Sequence, residues 1–115
     1  MKVSKEELID CGMQILLHAG NARLKIHQCM DLLAENQLSE INIILKEAQQ
    51  ELKEAHLAQT KIIQEEARGA EYDYCVLFNH AQDTMMSIYS EFYMCQKMYI
   101  VIKNLNDRIV RLEEK

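Results

Sequence analysis

Proline and tryptophan are absent from this chain, and only three glycines occur in its 115 residues. Many short strands joined by tight turns need Pro and Gly at their bends, so a strand-rich fold is excluded and long helices are expected. No run approaches the roughly 18 consecutive apolar residues of a membrane span. The start, MKVSKEELID, turns acidic where a secretion signal turns apolar. A cytoplasmic protein with no direct membrane insertion is expected. Positive charge is scarce as well: 13 Lys and Arg stand against 18 Asp and Glu. The net charge is −5 and no basic patch with interleaved aromatics occurs, which argues against a nucleic-acid partner. The cysteines, Cys11, Cys29, Cys75 and Cys95, form no CxxC pair and no Cys/His cluster of zinc spacing. Cys29 and Cys95 fall on apolar stripes, which predicts buried, reduced thiols.

What is present is the balance of one folded domain over residues 1–115, with 49% hydrophobic and 27% charged residues. Ser4 followed by Glu7 is a capping-box signature, in which hydroxyl and carboxylate satisfy amide donors of a first helical turn. From there Leu8, Gly12, Ile15, Ala19, Ala22, Ile26, Cys29 and Leu33 recur at steps of four and three, one seam of a long helix. Gly12 and Gly20 each cost that helix about 1 kcal/mol relative to Ala, which points to a close approach by another backbone, Gly20–Arg23 included.

A polar run from Glu35 marks a turn, with Asn36 or Ser39 as the cap of a second helix. Its seam is Ile41, Leu45, Ala48, Leu52, Ala55, Gln59 and Ile62. Gly69 suits a left-handed helix end, and Asp73 can cap a third helix that runs unbroken from about Tyr74. Short connections imply antiparallel neighbours. The fold class is therefore all-α, an antiparallel up-down-up three-helix bundle.

The third helix is the longest element, roughly 40 residues or about 60 Å. On it Ala81, Met85, Ile88, Phe92, Cys95, Tyr99, Ile102 and Ile109 form an apolar stripe, and His80, Asp83, Thr84, Ser87 and Glu91 a polar one beside it. Met94, Met98, Val101, Leu105 and Leu112 make a second apolar stripe, more than two neighbours can cover, which favours self-association. The closing NDRIVRLEEK is polar enough to fray. A histidine fixed on a rigid helix beside a wet groove can move protons or phosphoryl groups near neutral pH, although a helical histidine is more often a surface or packing residue.

Three segments, GNAR (Gly20–Arg23), EAHLAQTKIIQEEARG (Glu54–Gly69) and HAQDTMM (His80–Met86), occur in an order and spacing that resemble the lactose/cellobiose-class enzyme IIA proteins of the bacterial sugar phosphotransferase system. The resemblance runs from about Ile9 to about Leu112. It implies a homotrimer of three-helix subunits. It also implies that His80 accepts a phosphoryl group on Nε2 from the phosphocarrier protein HPr and passes it to a cysteine of the IIB component. The IIC permease then draws on it indirectly as a β-linked disaccharide of the lactose or cellobiose type enters the cell. Asp83 would bind one Mg²⁺ per trimer jointly with its two counterparts, and Gln82 and Thr84 would play supporting parts.

The family usually has HAQDH where this chain has Thr84, which keeps a hydrogen-bonding side chain near His80 but no proton-accepting one. Nothing in the spacing of His56 assigns it a reaction, and it is a candidate for contact with His80. His18 and His27 read as packing or surface residues. The choice of sugar is expected to rest chiefly with the permease and IIB. Two other readings stand beside the phosphocarrier: a trimeric helical scaffold or adaptor without covalent chemistry, and a histidine phosphotransfer domain. The second is disfavoured by AQD after His80, where such domains carry a Lys-Gly pair.

Overall fold

A computed structural model describes residues 1–115 as three helices, α1 (Lys5–Ala34), α2 (Ile41–Ala67) and α3 (Val76–Glu113). They run up, down and up in a body of 70 × 21 × 18 Å. One core of 25 buried apolar residues fills the space between them. The four-three seams of α1 and α2 are buried as the spacing predicts, apart from the half-buried Gln59. All four cysteines are buried and unpaired. The helix α1 packs closely along both of its neighbours, whereas α2 and α3 approach each other less closely.

The helix ends explain the connections. Ser4 Oγ accepts from the Glu7 N–H at 3.1 Å, the hydroxyl half of a capping box. The reciprocal carboxylate bond is not made. Instead the entering chain is held by its backbone, Val3 N–H donating to the Glu71 carbonyl at 2.7 Å. Both α1 and α2 close with paired carbonyl captures around a left-handed residue, Asn36 at φ 56° and Gly69 at φ 96°. Gln37 N–H reaches the Leu32 carbonyl at 2.9 Å, and Ala70 N–H the Glu65 carbonyl at 3.0 Å.

The structure corrects four expectations of local detail. Neither Asn36 nor Ser39 caps α2; Glu40 precedes it without a side-chain cap, because Asn36 is spent closing α1 and its amide donates to Asn106 Oδ1. Asp73 does not cap α3, since it pairs with Lys2 at 3.1 Å and the helix begins one step after the extended Cys75. Gly20 meets nothing within 4 Å, so the expected close approach falls at Gly12 alone, where an added Cβ would lie 3.4 Å from Phe78 Cα. The C-terminal segment stays helical to Glu113, with Lys103 and Asp107 paired one turn apart and Arg111 at the negative end of the helix dipole.

The α3 core stripe is buried from Ala81 to Tyr99, then emerges: Ile102 is half-buried and Ile109 exposed. The reason is length. Asn36 at the end of α1 stands level with Asn106, and beyond that point α3 has no neighbour to cover it. Met94, Met98, Val101, Leu105 and Leu112 are all exposed on the single subunit. No helix is long and apolar enough to cross a membrane.

Candidate functional site

His80 lies in the second turn of α3, where every residue from Val76 to Glu113 is helical and no glycine or proline loosens the backbone. Its side chain is exposed and hydrogen-bonds to nothing within the subunit. Two residues anchor this end of the helix. Phe78 is buried against the Gly12 backbone, and Ala81 is buried against the core. The imidazole is therefore carried on a fixed segment with its ring free to meet another molecule.

The polar stripe predicted around His80 is present. Asp83 and Ser87 are exposed, and Thr84 and Glu91 are half-buried. Thr84 stands one turn along from His80, within the 5–6 Å of helical neighbours four apart. Glu91 is tied across to α1 by Arg23, whose Nε and Nη2 donate to its two carboxylate oxygens at 3.1 and 2.7 Å. That two-pronged bond holds the Arg23 guanidinium above its ordinary pKa. It also fixes the α1–α3 register along the flank on which His80 lies.

Gln82 is placed elsewhere. Two residues along a helix is about 200° of rotation, so Gln82 points away from His80 and toward α2. There its Oε1 accepts from Gln59 Nε2 at 2.8 Å. His56 does not reach His80 either. It stands edge-on to Tyr89, with ring centroids 6.4 Å apart, and Tyr89 lies on the α2-facing side of α3. The two histidines flank opposite sides of the same helix.

Asp83 is a single carboxylate on the outer side of α3. No group of three His, Cys, Asp or Glu side chains converges within the subunit. A hard cation needs several oxygen ligands, of which Asp83 supplies one, leaving the others to water or to donors outside the subunit. As one hard oxygen donor, free of competing ion pairs, it fits a shared Mg²⁺ site of that kind.

Several contacts were not legible in the sequence. His18 Nδ1 meets Glu51 Oε2 at 2.7 Å, Tyr89 donates its hydroxyl to the Leu52 carbonyl at 3.2 Å, and Cys11 Sγ donates to the Ala58 carbonyl at 2.8 Å. The only available signal for the Arg23–Glu91 and His18–Glu51 pairs was opposite charge next to a seam. Which partners meet depends on a helix-to-helix register that periodicity does not supply.

Comparison with known proteins bears on what this geometry serves. Residues 10–103 match the family described as "PTS system, Lactose/Cellobiose specific IIA subunit". The lactose-specific EIIA component of Lacticaseibacillus casei is 34% identical over 87 residues, 76% of this chain and 78% of that protein. The oligo-beta-mannoside-specific EIIA component of Bacillus subtilis is 30% identical over 106 residues, 92% of this chain and 96% of that one. Among solved structures, PtcA from S. mutans superposes with a TM-score of 0.85 at 34% identity, over 88% of this chain and 99% of that chain.

Proposed function

Because the chain belongs to the lactose/cellobiose-specific IIA family, and is thus a phosphotransferase component of a sugar phosphotransferase system, we propose that it carries phosphoryl groups on His80. In this reading the lone pair of a neutral His80 Nε2 attacks the phosphorus of phospho-HPr. The P–N bond to the HPr histidine breaks as the bond to Nε2 forms. In the second transfer a cysteine thiolate of IIB attacks the same phosphorus, an S–P bond forms, and His80 leaves with its lone pair restored. The IIC permease is served indirectly, during uptake of a β-linked disaccharide of the lactose or cellobiose type, and the protein works in the cytoplasm.

The observation that carries this reading is the exposed, unpartnered imidazole of His80 on a helix that cannot yield. Transfer between two proteins requires a ring that docking partners can reach in line, and a fixed carrier helps by holding the geometry of attack. The first turns of α3 add amide dipoles that favour an arriving anion modestly. In this reading Thr84, one turn along from His80, offers its hydroxyl to a phosphoryl oxygen, and Gln82 acts at a distance by holding α3 against α2.

The same reading has three subunits assemble through the exposed Met-rich face of α3. Three Asp83 carboxylates would then share one Mg²⁺, which would offset their mutual repulsion.

Incubation with phosphoenolpyruvate, enzyme I and HPr tests the proposal. Acid-labile, base-stable phosphate is expected on the wild-type chain and none on His80→Ala. Because His80 is exposed, the substitution leaves the core intact, and a helical spectrum like the wild type's verifies that. Label persisting on His80→Ala, or absent from both proteins, overturns the assignment.

A further inference from the structure

A groove of about 460 Å³ runs along the α2–α3 seam, on the side of α3 away from His80. One wall is a single face of α2, where Lys46, Gln49, Lys53 and His56 recur at helical spacing. The other is α3, where Tyr89 and Tyr93 stack at 6.2 Å with an interplanar angle of 26°. His56 stands edge-on to Tyr89 and closes one end of that aromatic platform.

The charge of this groove runs against that of the chain. No carboxylate lines it, in a protein of net charge −5. Lys46 and Lys53 are among the six lysines with no ion-pair partner, so both ammonium groups are free to meet a ligand. The acids next to them in sequence are engaged elsewhere: Glu47 accepts from Lys25 of α1, and Glu54 from Gln50. The two lysines are seven residues apart, about 10.5 Å along the helix, and their flexible arms can close on one anion between them.

We propose that this groove binds a small phosphate ester whose ring lies on the Tyr89–Tyr93 platform while Lys46, Lys53 and the His56 imidazole hold its phosphate. The pairing of chemistries argues for both halves of the ligand. Ammonium groups and ring N–H donors suit phosphate oxygens, and a stacked tyrosine face suits a sugar or base ring. Phosphorylated sugars and nucleotides share this chemistry. Neither has to approach His80, so binding is separable from phosphoryl transfer.

Titration of the full-length protein with inorganic phosphate, glucose 6-phosphate and AMP tests it, read from the NMR signals of the His56 and Tyr93 rings. Saturable shifts at millimolar or lower concentration are expected for at least one ring-bearing phosphate, with inorganic phosphate weaker; the stronger of the two identifies the ring class. Lys53→Gln and Lys46→Gln are expected to weaken binding roughly tenfold each, the loss of one charge-assisted hydrogen bond. Tyr93→Ala is expected to reduce the ring-bearing ligand to the level of inorganic phosphate. Lys46 and Lys53 are exposed, so their variants keep the wild-type melting curve; Tyr93→Ala gives up its contacts with Tyr89 and Phe92, and a helical spectrum like the wild type's verifies that it folds. Absence of saturable shifts with any probe, or shifts that survive loss of both ammonium groups, overturns the site. An equal response to all three probes overturns the role of the tyrosine platform.

Discussion

Gln59 Nε2 donates to Gln82 Oε1 at 2.8 Å, joining the EAHLAQTKIIQEEARG segment to the third residue of HAQD across the α2–α3 seam. The bond gives a physical reason for glutamine at both places. A half-buried amide needs a partner, and two amides facing each other satisfy part of their donors and acceptors while fixing how α3 is rotated. His80, two residues away on the same rigid helix, takes its direction from that rotation. Gln59→Leu leaves the Gln82 carbonyl without its donor and is expected to cost about 1 to 2 kcal/mol. The double change Gln59→Leu with Gln82→Leu is expected to recover most of that loss. Urea unfolding at matched protein concentration measures both. Equal destabilisation by the single and double variants would show that the bond itself matters little.

The glycines of α1 make opposite tests of one idea. Gly12 lies against the Phe78 backbone, at a distance where a methyl group just fits and anything larger does not. Gly20 faces open space. Gly20→Ala is therefore expected to raise stability by about 1 kcal/mol through helix propensity alone. Gly12→Leu is expected to destabilise by several times that amount, by overpacking the α1–α3 contact. Thermal melts of the two variants read the contrast. A lowered melting temperature for Gly20→Ala would mean that a surface outside the subunit needs that position bare.

The repeat of Leu8, Ile15, Ala22 and Cys29 named the buried face of α1 because a helix turns at a known rate. Gly69 marked the end of α2 because few other residues tolerate φ 96°. Asp73 misled because a carboxylate can serve as a cap or as an ion-pair partner, and the fold brings Lys2 within reach. Ile109 misled because periodicity states which side faces inward but not where the neighbouring helices stop. The prominence of His80 came from the HAQD motif, and its exposure and lack of a partner came from the coordinates. Spacing could not reveal that Gln82 turns to α2 or that His56 belongs to the far side of α3, since both depend on the register between helices.

Burial has a consequence for alkaline stability. The Cys29 thiol is pushed by desolvation, with Cys95 beside it, from its ordinary 9.0 to about 12, and burial also raises Cys11 and Cys95. A raised acid pKa means that the folded state keeps a proton which the unfolded chain has released. The stabilisation is therefore complete below pH 9.0 and is lost as the pH rises toward about 12. Melting temperature is expected to fall progressively across that window, and the slope to flatten in Cys29→Ala. The same thiols are expected to resist alkylation at neutral pH until the protein unfolds. A melting temperature unchanged across the window would contradict the buried, neutral state of Cys29.

Asp83 offers a test that separates the subunit from its assembly. Within one chain it is exposed, touches no cation and contributes nothing to the core, so Asp83→Ala is expected to leave subunit helicity unchanged. If three copies meet near this residue, their carboxylates repel one another, and a shared divalent ion is the economical way to hold them together. Removing the carboxylates then has two opposing effects: the repulsion disappears, and so does the ion that bridged the subunits. Loss of the ion is the decisive readout. Wild-type protein dialysed against magnesium is expected to retain about one ion per three chains, and Asp83→Ala none. Chelator is expected to lower the wild type's melting temperature but not the variant's. Elemental analysis measures the first and calorimetry the second, with sedimentation velocity reporting the number of chains. Equal magnesium in both proteins, with the same chain number, would remove Asp83 from any metal-binding part and leave it a solvated carboxylate on the outer side of α3.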